Sequence, residues 1–388
     1  MKRLISAIVG SLFFIFVIGC NSSDDGISSS LPEGSDLSEI PTEASEKIAE
    51  ESEDEASNFE SVESSADPVE ESSDVEESSK VEESSEPDEN DIGDAVLLPT
   101  KYILFNGGCY YGTTFSATNA AKYASIYAEY AELFPNTRIS VVNMPQSAFG
   151  ITNPTVRGWL TDQGEILDKM EAEIYGDVNF VNLKNIFAEH RGEYLYYRSD
   201  YHWTHRAAYY AYYAFAESIG LTPTPLSAFE EKVITDSFKG KTNTYAKDDR
   251  VLEYVDTVYA YMPRKEHTMS IYYKDLTLYR TFSNCVVASR KGYACFINGD
   301  QPYTEINVPE NDQEKTALVI KESSGNAFTT YLIEHYGNII VIDPRHIDID
   351  IRNLVTEKGV DDIIFCATAS TSNGSGYYNY YCKLIGKQ

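Results

Sequence analysis

Basic residues are scarce in this chain: 31 lysines and arginines stand against 61 aspartates and glutamates, a formal net charge of −30. No basic patch and no nucleic-acid-binding module is present, which excludes nucleic acid as a partner. Cysteine is sparse too, six in 388 residues, with no CxxC pair and no Cys/His cluster at metal-ligand spacing. The expectation is therefore no metal and no cofactor. Apolar runs of membrane-spanning length are also missing. The stretch from Leu4 to Ile18 is too short for a comfortable span and no stop-transfer pattern follows it. No internal repeat appears.

What is present first is an address. Met1-Lys2-Arg3 is a basic n-region, Leu4 to Ile18 an apolar h-region, and Val17-Ile18-Gly19-Cys20 a lipobox followed by the polar start Asn21-Ser22-Ser23-Asp24. Residues 1–20 are read as a lipoprotein signal peptide ending at a lipid-modified Cys20. An ordinary signal peptide is the alternative. Two or three acyl chains on Cys20 would hold the mature protein on the outer face of a membrane, an extracytoplasmic, lipid-anchored location.

Residues 21–95 are low-complexity and made mainly of Ser, Glu and Asp. They hold 27 acidic residues against two lysines, Lys47 and Lys80, and so account for most of the chain's negative charge. With so few apolar side chains this segment cannot offset its ordering entropy and is expected to be a disordered tether. Its reach is roughly 50 Å by flexible-chain scaling, more with like-charge repulsion. From residue 96 onward 34 acidic and 27 basic residues remain, a near-ordinary balance.

Residues 96–388 are long enough for one large α/β domain. Apolar runs predict strands at 101–105, 138–144, 178–183, 315–320, 339–342 and 360–367. Helical periodicity predicts helices at 114–134, 156–175, 204–219 and 325–336. This rhythm implies a mostly parallel sheet covered on both faces. Residues 226–309 break it and read as an irregular β-rich insertion, an antiparallel excursion over one edge. Five cysteines fall in the domain, an odd number that leaves at least one unpaired. Cys285–Cys295 and Cys366–Cys382 are the candidate bridges in a compartment that permits them.

The chemistry concentrates in two stretches. Arg198-Ser199-Asp200-Tyr201-His202-Trp203-Thr204 sets an acid two residues before a histidine. In an extended segment both would face one side, where a carboxylate can orient an imidazole. A structural hydrogen-bonded pair is the plainer reading, and His205 is the competing base. Glu322-Ser323-Ser324-Gly325 lies where an apolar strand stops and a helix begins, at the carboxyl edge of the expected sheet. There the free N–H groups of the helix start would suit an oxyanion. Either serine could instead be an N-cap. Trp203 reads as a packing anchor before a substrate platform. Arg345, in Asp343-Pro344-Arg345, could bind an anionic or acyl substrate or pair with Asp343 or Asp348. Asn298-Gly299-Asp300 reads as a turn first and a substrate-contacting loop second. Thirty tyrosines are mostly packing, though several at one cleft would suit stacking on sugar rings.

Together the Asp-Tyr-His-Trp-Thr stretch, the Lys-Glu-Ser-Ser-Gly-Asn-Ala-Phe block and the following Ile-Asp-Pro-Arg resemble the DHHW family. That family is related to the SGNH-hydrolase-like domains of periplasmic alginate O-acetylation proteins. The resemblance covers roughly residues 100 to 370. It implies an SGNH-hydrolase-like three-layer fold and a triad of Ser323 as nucleophile, His202 as base and Asp200 as orienting acid. Arg345, Trp203, Asn298 and Ser324 would line the substrate. The implied activity is O-acetyl transfer on an extracellular glycan, with a membrane-bound O-acyltransferase supplying the acetyl groups. A carbohydrate O-acetyl esterase and a non-catalytic glycan-binding or assembly protein are the alternatives. The chain departs from the family at Tyr201, expected to face away from the pair, at Glu322, and at Thr330 and Tyr331, expected to alter the substrate surface.

Overall fold

The structure is a computed structural model that describes residues 91–311, 315–374 and 376–387. Residues 1–90, with the signal peptide, Cys20 and nearly all of the expected tether, lie outside the described residues. So do the three residues 312–314.

The first described strands, β1 (Val96–Leu97), β2 (Ile103–Phe105) and β3 (Gly108–Tyr110), form a small antiparallel sheet. The principal sheet has eight strands. Five are parallel, in the order β5 (Val178–Val181), β4 (Arg138–Met144), β13 (Val360–Thr368), β11 (Thr316–Lys321) and β12 (Asn338–Ile342). Three more, β10 (Tyr303–Asn307), β8 (Thr268–Tyr272) and β9 (Leu278–Phe282), extend it antiparallel beyond β12. β6 (Glu230–Phe238) and β7 (Asp256–Met262) pair separately as a two-stranded ribbon, with the short helix α6 (Thr242–Ala246) between them in the chain.

Strand periodicity fixes how the faces are covered. In β11, Ala317 and Val319 point to one core while Leu318 and Ile320 point to the other. On the first face lie α3 (Gln163–Glu173), α4 (Lys184–Glu189), α5 (His205–Ser218) and α7 (Gly325–Thr329), through Met170, Phe187, Phe215 and Ala327. On the second lie α1 (Ala117–Leu133), α8 (Ile351–Glu357) and α9 (Gly376–Leu384), through Tyr127, Ile351 and Tyr381. This is the three-layer α/β arrangement, with a mostly parallel sheet at its centre.

Two expected helices are broken, each for a local reason. The helix expected over 156–175 is two: α2 (Pro154–Arg157), capped by Asn153, and α3, whose start is fixed by Asp162 accepting from the N–H groups of Gly164 and Glu165. The helix expected over 325–336 is α for only five residues and then tightens into a 3₁₀ turn, Thr330–Glu334. Hydroxyls intrude there: Thr329 Oγ donates to the Gly325 carbonyl and Thr330 Oγ to that of Ala327. Neither candidate disulfide forms; Cys109, Cys285, Cys295, Cys366 and Cys382 are all free and buried.

Candidate active site

β11 delivers Glu322-Ser323-Ser324 to the carboxyl edge of the parallel sheet, and Gly325 begins α7. Gly325 is required by close approach: a Cβ there would lie 2.5 Å from Lys321 Cβ. The turn is locked from both sides. The Ser324 carbonyl accepts from Trp203 Nε1 (2.9 Å) and from the Tyr293 hydroxyl (3.1 Å). Glu322 accepts the N–H of Thr368 on one carboxylate oxygen, and on the other the N–H of Ser324 and the Ser323 hydroxyl.

The acid–histidine stretch arrives from the first face, in the loop that leads into α5. The pair does not meet by strand alternation, as an extended segment would require. Residues 198–202 form a bend, and Asp200 Oδ1 accepts both the His202 backbone N–H (3.0 Å) and the Nδ1 side of its ring (2.5 Å). A short carboxylate turn thus does what the strand was expected to do. The other ring nitrogen, Nε2, lies 2.9 Å from Ser323 Oγ. Asp200 and His202 are buried, while Ser323 is half-buried. Burial alone would raise the Asp200 carboxyl; the adjacent His202 ring and the N–H groups of His202 and Lys241 outweigh it and hold Asp200 below the ordinary carboxylate value.

The imidazole is bracketed by two aromatic rings. Tyr293 stacks on it at 3.9 Å and 11°. Tyr201, expected to face away, instead has its ring centroid 4.2 Å from that of His202. Together they restrict rotation of the base and shield it from water.

The remaining candidates fall into place as follows. His205, the competing base, is structural. Its Nε2 bonds Thr330 Oγ (2.8 Å), its Nδ1 accepts the Tyr261 N–H (2.9 Å), and burial drops its pKa to about 3. Thr330 and Tyr331 are buried against it, Tyr331 donating to the His205 carbonyl, so these departures from the family alter the core rather than a substrate surface. Trp203 is fully buried and stacks near Phe187 (6.3 Å); it is the packing anchor and cannot touch a substrate. Ser324 is buried and its side chain makes no cap bond.

The helix start is not a set of free donors either. Ser324 N–H is taken by Glu322 Oε2, Gly325 N–H by the Glu322 carbonyl and Asn326 N–H by the Ser323 carbonyl. Arg345 pairs with Asp343 and, in place of Asp348, with Asp300. Buried Lys321 joins the same two carboxylates at 2.9 and 3.0 Å. Asp300, Asp343 and His346 come close enough to share an ion, but carboxylates already matched by two cations make a poor cation site. Asn298 is largely buried in the tight turn Ile297-Asn298-Gly299, all three residues left-handed, and its carbonyl accepts from Gln301.

Sequence reasoning missed Gly240, Lys241, Asp256 and Tyr293, which surround the pair from far along the chain. No local pattern marks them, because each acts by a long-range contact.

Known proteins share the family and the fold. The family model described as DHHW protein matches residues 24–342. A DHHW family protein from Eubacterium siraeum is similar in structure at 21% identity and a TM-score of 0.68, over 76% of this chain and 99% of its own. Bacillus cereus PatB1, solved with a sulfonyl adduct, is similar at 17% identity and a TM-score of 0.58, over 76% and 100%. The O-acetyltransferase domain of Pseudomonas putida AlgJ aligns over 75% and 98% at 11% identity and a TM-score of 0.41, too distant to bear on function. No curated protein matches by sequence. The three layers and mostly parallel sheet are the SGNH-hydrolase-like fold.

Proposed function

This chain belongs to the DHHW family, and we propose that it is an extracytoplasmic acyl-transfer enzyme acting on acyl esters of an extracellular polysaccharide, with O-acetyl transfer as its reaction. The observation that carries this reading is the unbroken line Asp200 Oδ1–His202 Nδ1 (2.5 Å) and His202 Nε2–Ser323 Oγ (2.9 Å) at the carboxyl edge of a parallel sheet. The sulfonyl adduct of PatB1 accords with it, since sulfonyl electrophiles are trapped by activated nucleophiles.

In the mechanism His202 Nε2 takes the Ser323 proton as Oγ attacks the acyl carbonyl. Asp200 holds the Nδ1 proton and stabilises the imidazolium. His202 then protonates the departing group, leaving an acyl-Ser323. A sugar hydroxyl, deprotonated by the same nitrogen, takes the acyl group and frees the serine. The Ser323 hydroxyl has two acceptors, His202 Nε2 and Glu322 Oε2 (3.0 Å). Only the rotamer that donates to His202 is competent to react.

A signal sequence and lipobox support an extracytoplasmic location for this chemistry, with Cys20 lipid-anchored and residues 21–95 as the tether from which the 96–388 domain would reach its glycan. A membrane-bound O-acyltransferase is the proposed acetyl supplier. The test is turnover of an acetylated chromogenic ester with and without a glycan acceptor. Acetyl appearing on the acceptor supports transfer, and release to water alone makes the protein an esterase. Binding of the glycan with no turnover leaves a non-catalytic glycan-binding role.

A further inference from the structure

The orienting acid sits on a support from outside its own loop. Asp256, at the start of β7, is 1% exposed and its carboxylate accepts from Arg198 N–H (2.8 Å), Ser199 N–H (2.8 Å), Ser199 Oγ (2.5 Å) and the Tyr194 hydroxyl. Four donors converge on one carboxylate and fix the two residues that precede Asp200.

The Ser199 hydroxyl, having donated to Asp256, accepts the Gly240 N–H at 2.9 Å. The Ser199 carbonyl accepts the Thr242 N–H at 3.0 Å. Between these two anchors the Lys241 N–H is aimed at Asp200 Oδ2, 3.2 Å away. This satisfies the carboxylate oxygen that His202 does not use.

Gly240 passes so close that a Cβ would lie 2.3 Å from Asp200 Cβ and 2.5 Å from Oδ2. No side chain fits there without moving the acid.

We propose that residues 240–242, strung on Ser199 and Asp256, are a positioning clamp that sets the Asp200 carboxylate against His202. The segment after β6 would therefore be part of the catalytic apparatus, although it contributes no reacting group. This rests on the reading of Asp200 and His202 as the orienting pair, and it is tested by a measurement that needs no substrate.

In the full-length protein the Asp200–His202 hydrogen bond should give a low-field Nδ1 proton resonance, absent in Asp200→Asn. Gly240→Ala should lose the resonance, as Asp200→Asn does. Where turnover is measured, kcat should fall on the order of 10²-fold with KM unchanged, the cost of misplacing a catalytic group by about an ångström.

Ser199→Ala, which adds no atoms, should shift the resonance upfield without abolishing it. It decides the matter if Gly240→Ala does not fold. An unchanged resonance in folded Gly240→Ala, or in Ser199→Ala where that variant decides, overturns the clamp. Loss of turnover in Ser323→Ala tests the catalytic reading independently.

Discussion

The serine at position 323 is distinguished from its neighbour by one contact. Ser323 Oγ lies 2.9 Å from His202 Nε2, while Ser324 is buried and offers its carbonyl to Trp203 and Tyr293. Ser323→Ala and His202→Ala should therefore each lower kcat/KM for an acyl ester by roughly 10³-fold or more, Asp200→Ala somewhat less, and the losses should not add. Ser324→Ala should cost far less; the reverse ranking in the same assay would move the nucleophile to Ser324. The spacing of Asp200 and His202 and the position of Ser323 were legible because motif and strand end are local features. The bend that joins the pair was not legible, since an i, i+2 contact looks the same in a strand and in a carboxylate turn. The roles of Trp203 and Arg345 depended on what packs around them, which no local pattern states.

Among the elements, β11 leads into the turn that bears Ser323, and its last residue is held by charge. Lys321 is 0% exposed and paired with Asp300 and Asp343, which Arg345 also binds. Removing one member of such a network strands the others, so Lys321→Met should destabilise the domain by about 3–5 kcal/mol in denaturant titration.

Helix α5 bears a second device. The ordinary histidine pKa is about 6.5, and His205 is held neutral with a folded pKa of about 3. Below pH ~6.5 the unfolded chain takes up a proton that the folded one refuses. Stability should therefore fall as the pH drops from ~6.5 toward 3. His335, with a folded pKa of about 4, adds to the slope. His205→Asn should be less stable than wild type at pH 7 but show a shallower loss of melting temperature between pH 7 and 5. The strands of the parallel sheet were legible to within one or two residues because buried apolar runs declare themselves. The short helices α4, α8 and α9 were not, being too brief to show a 3.6-residue period.

At the scale of the whole molecule the proposal is an address, a tether and one α/β domain. Metabolic labelling with a fatty-acid analogue should mark the wild type and spare Cys20→Ala; equal labelling of both would remove the lipid anchor from the account. A chain beginning at residue 96 should melt within error of the full protein and turn over small soluble esters equally well. A drop of many degrees would mean that residues 21–95 pack on the domain. The three-layer class was legible from the alternation of strand and helix. The dependence of the Asp200 loop on residues 240–242 was not, because it joins segments some 40 positions apart. The most direct test of the central claim is acetyl transfer from a chromogenic ester by the wild-type protein and by Ser323→Ala, with a glycan acceptor present. The account predicts acetylated acceptor and a trapped acyl-Ser323 in the wild type, with neither in the variant; equal turnover by both proteins would contradict it.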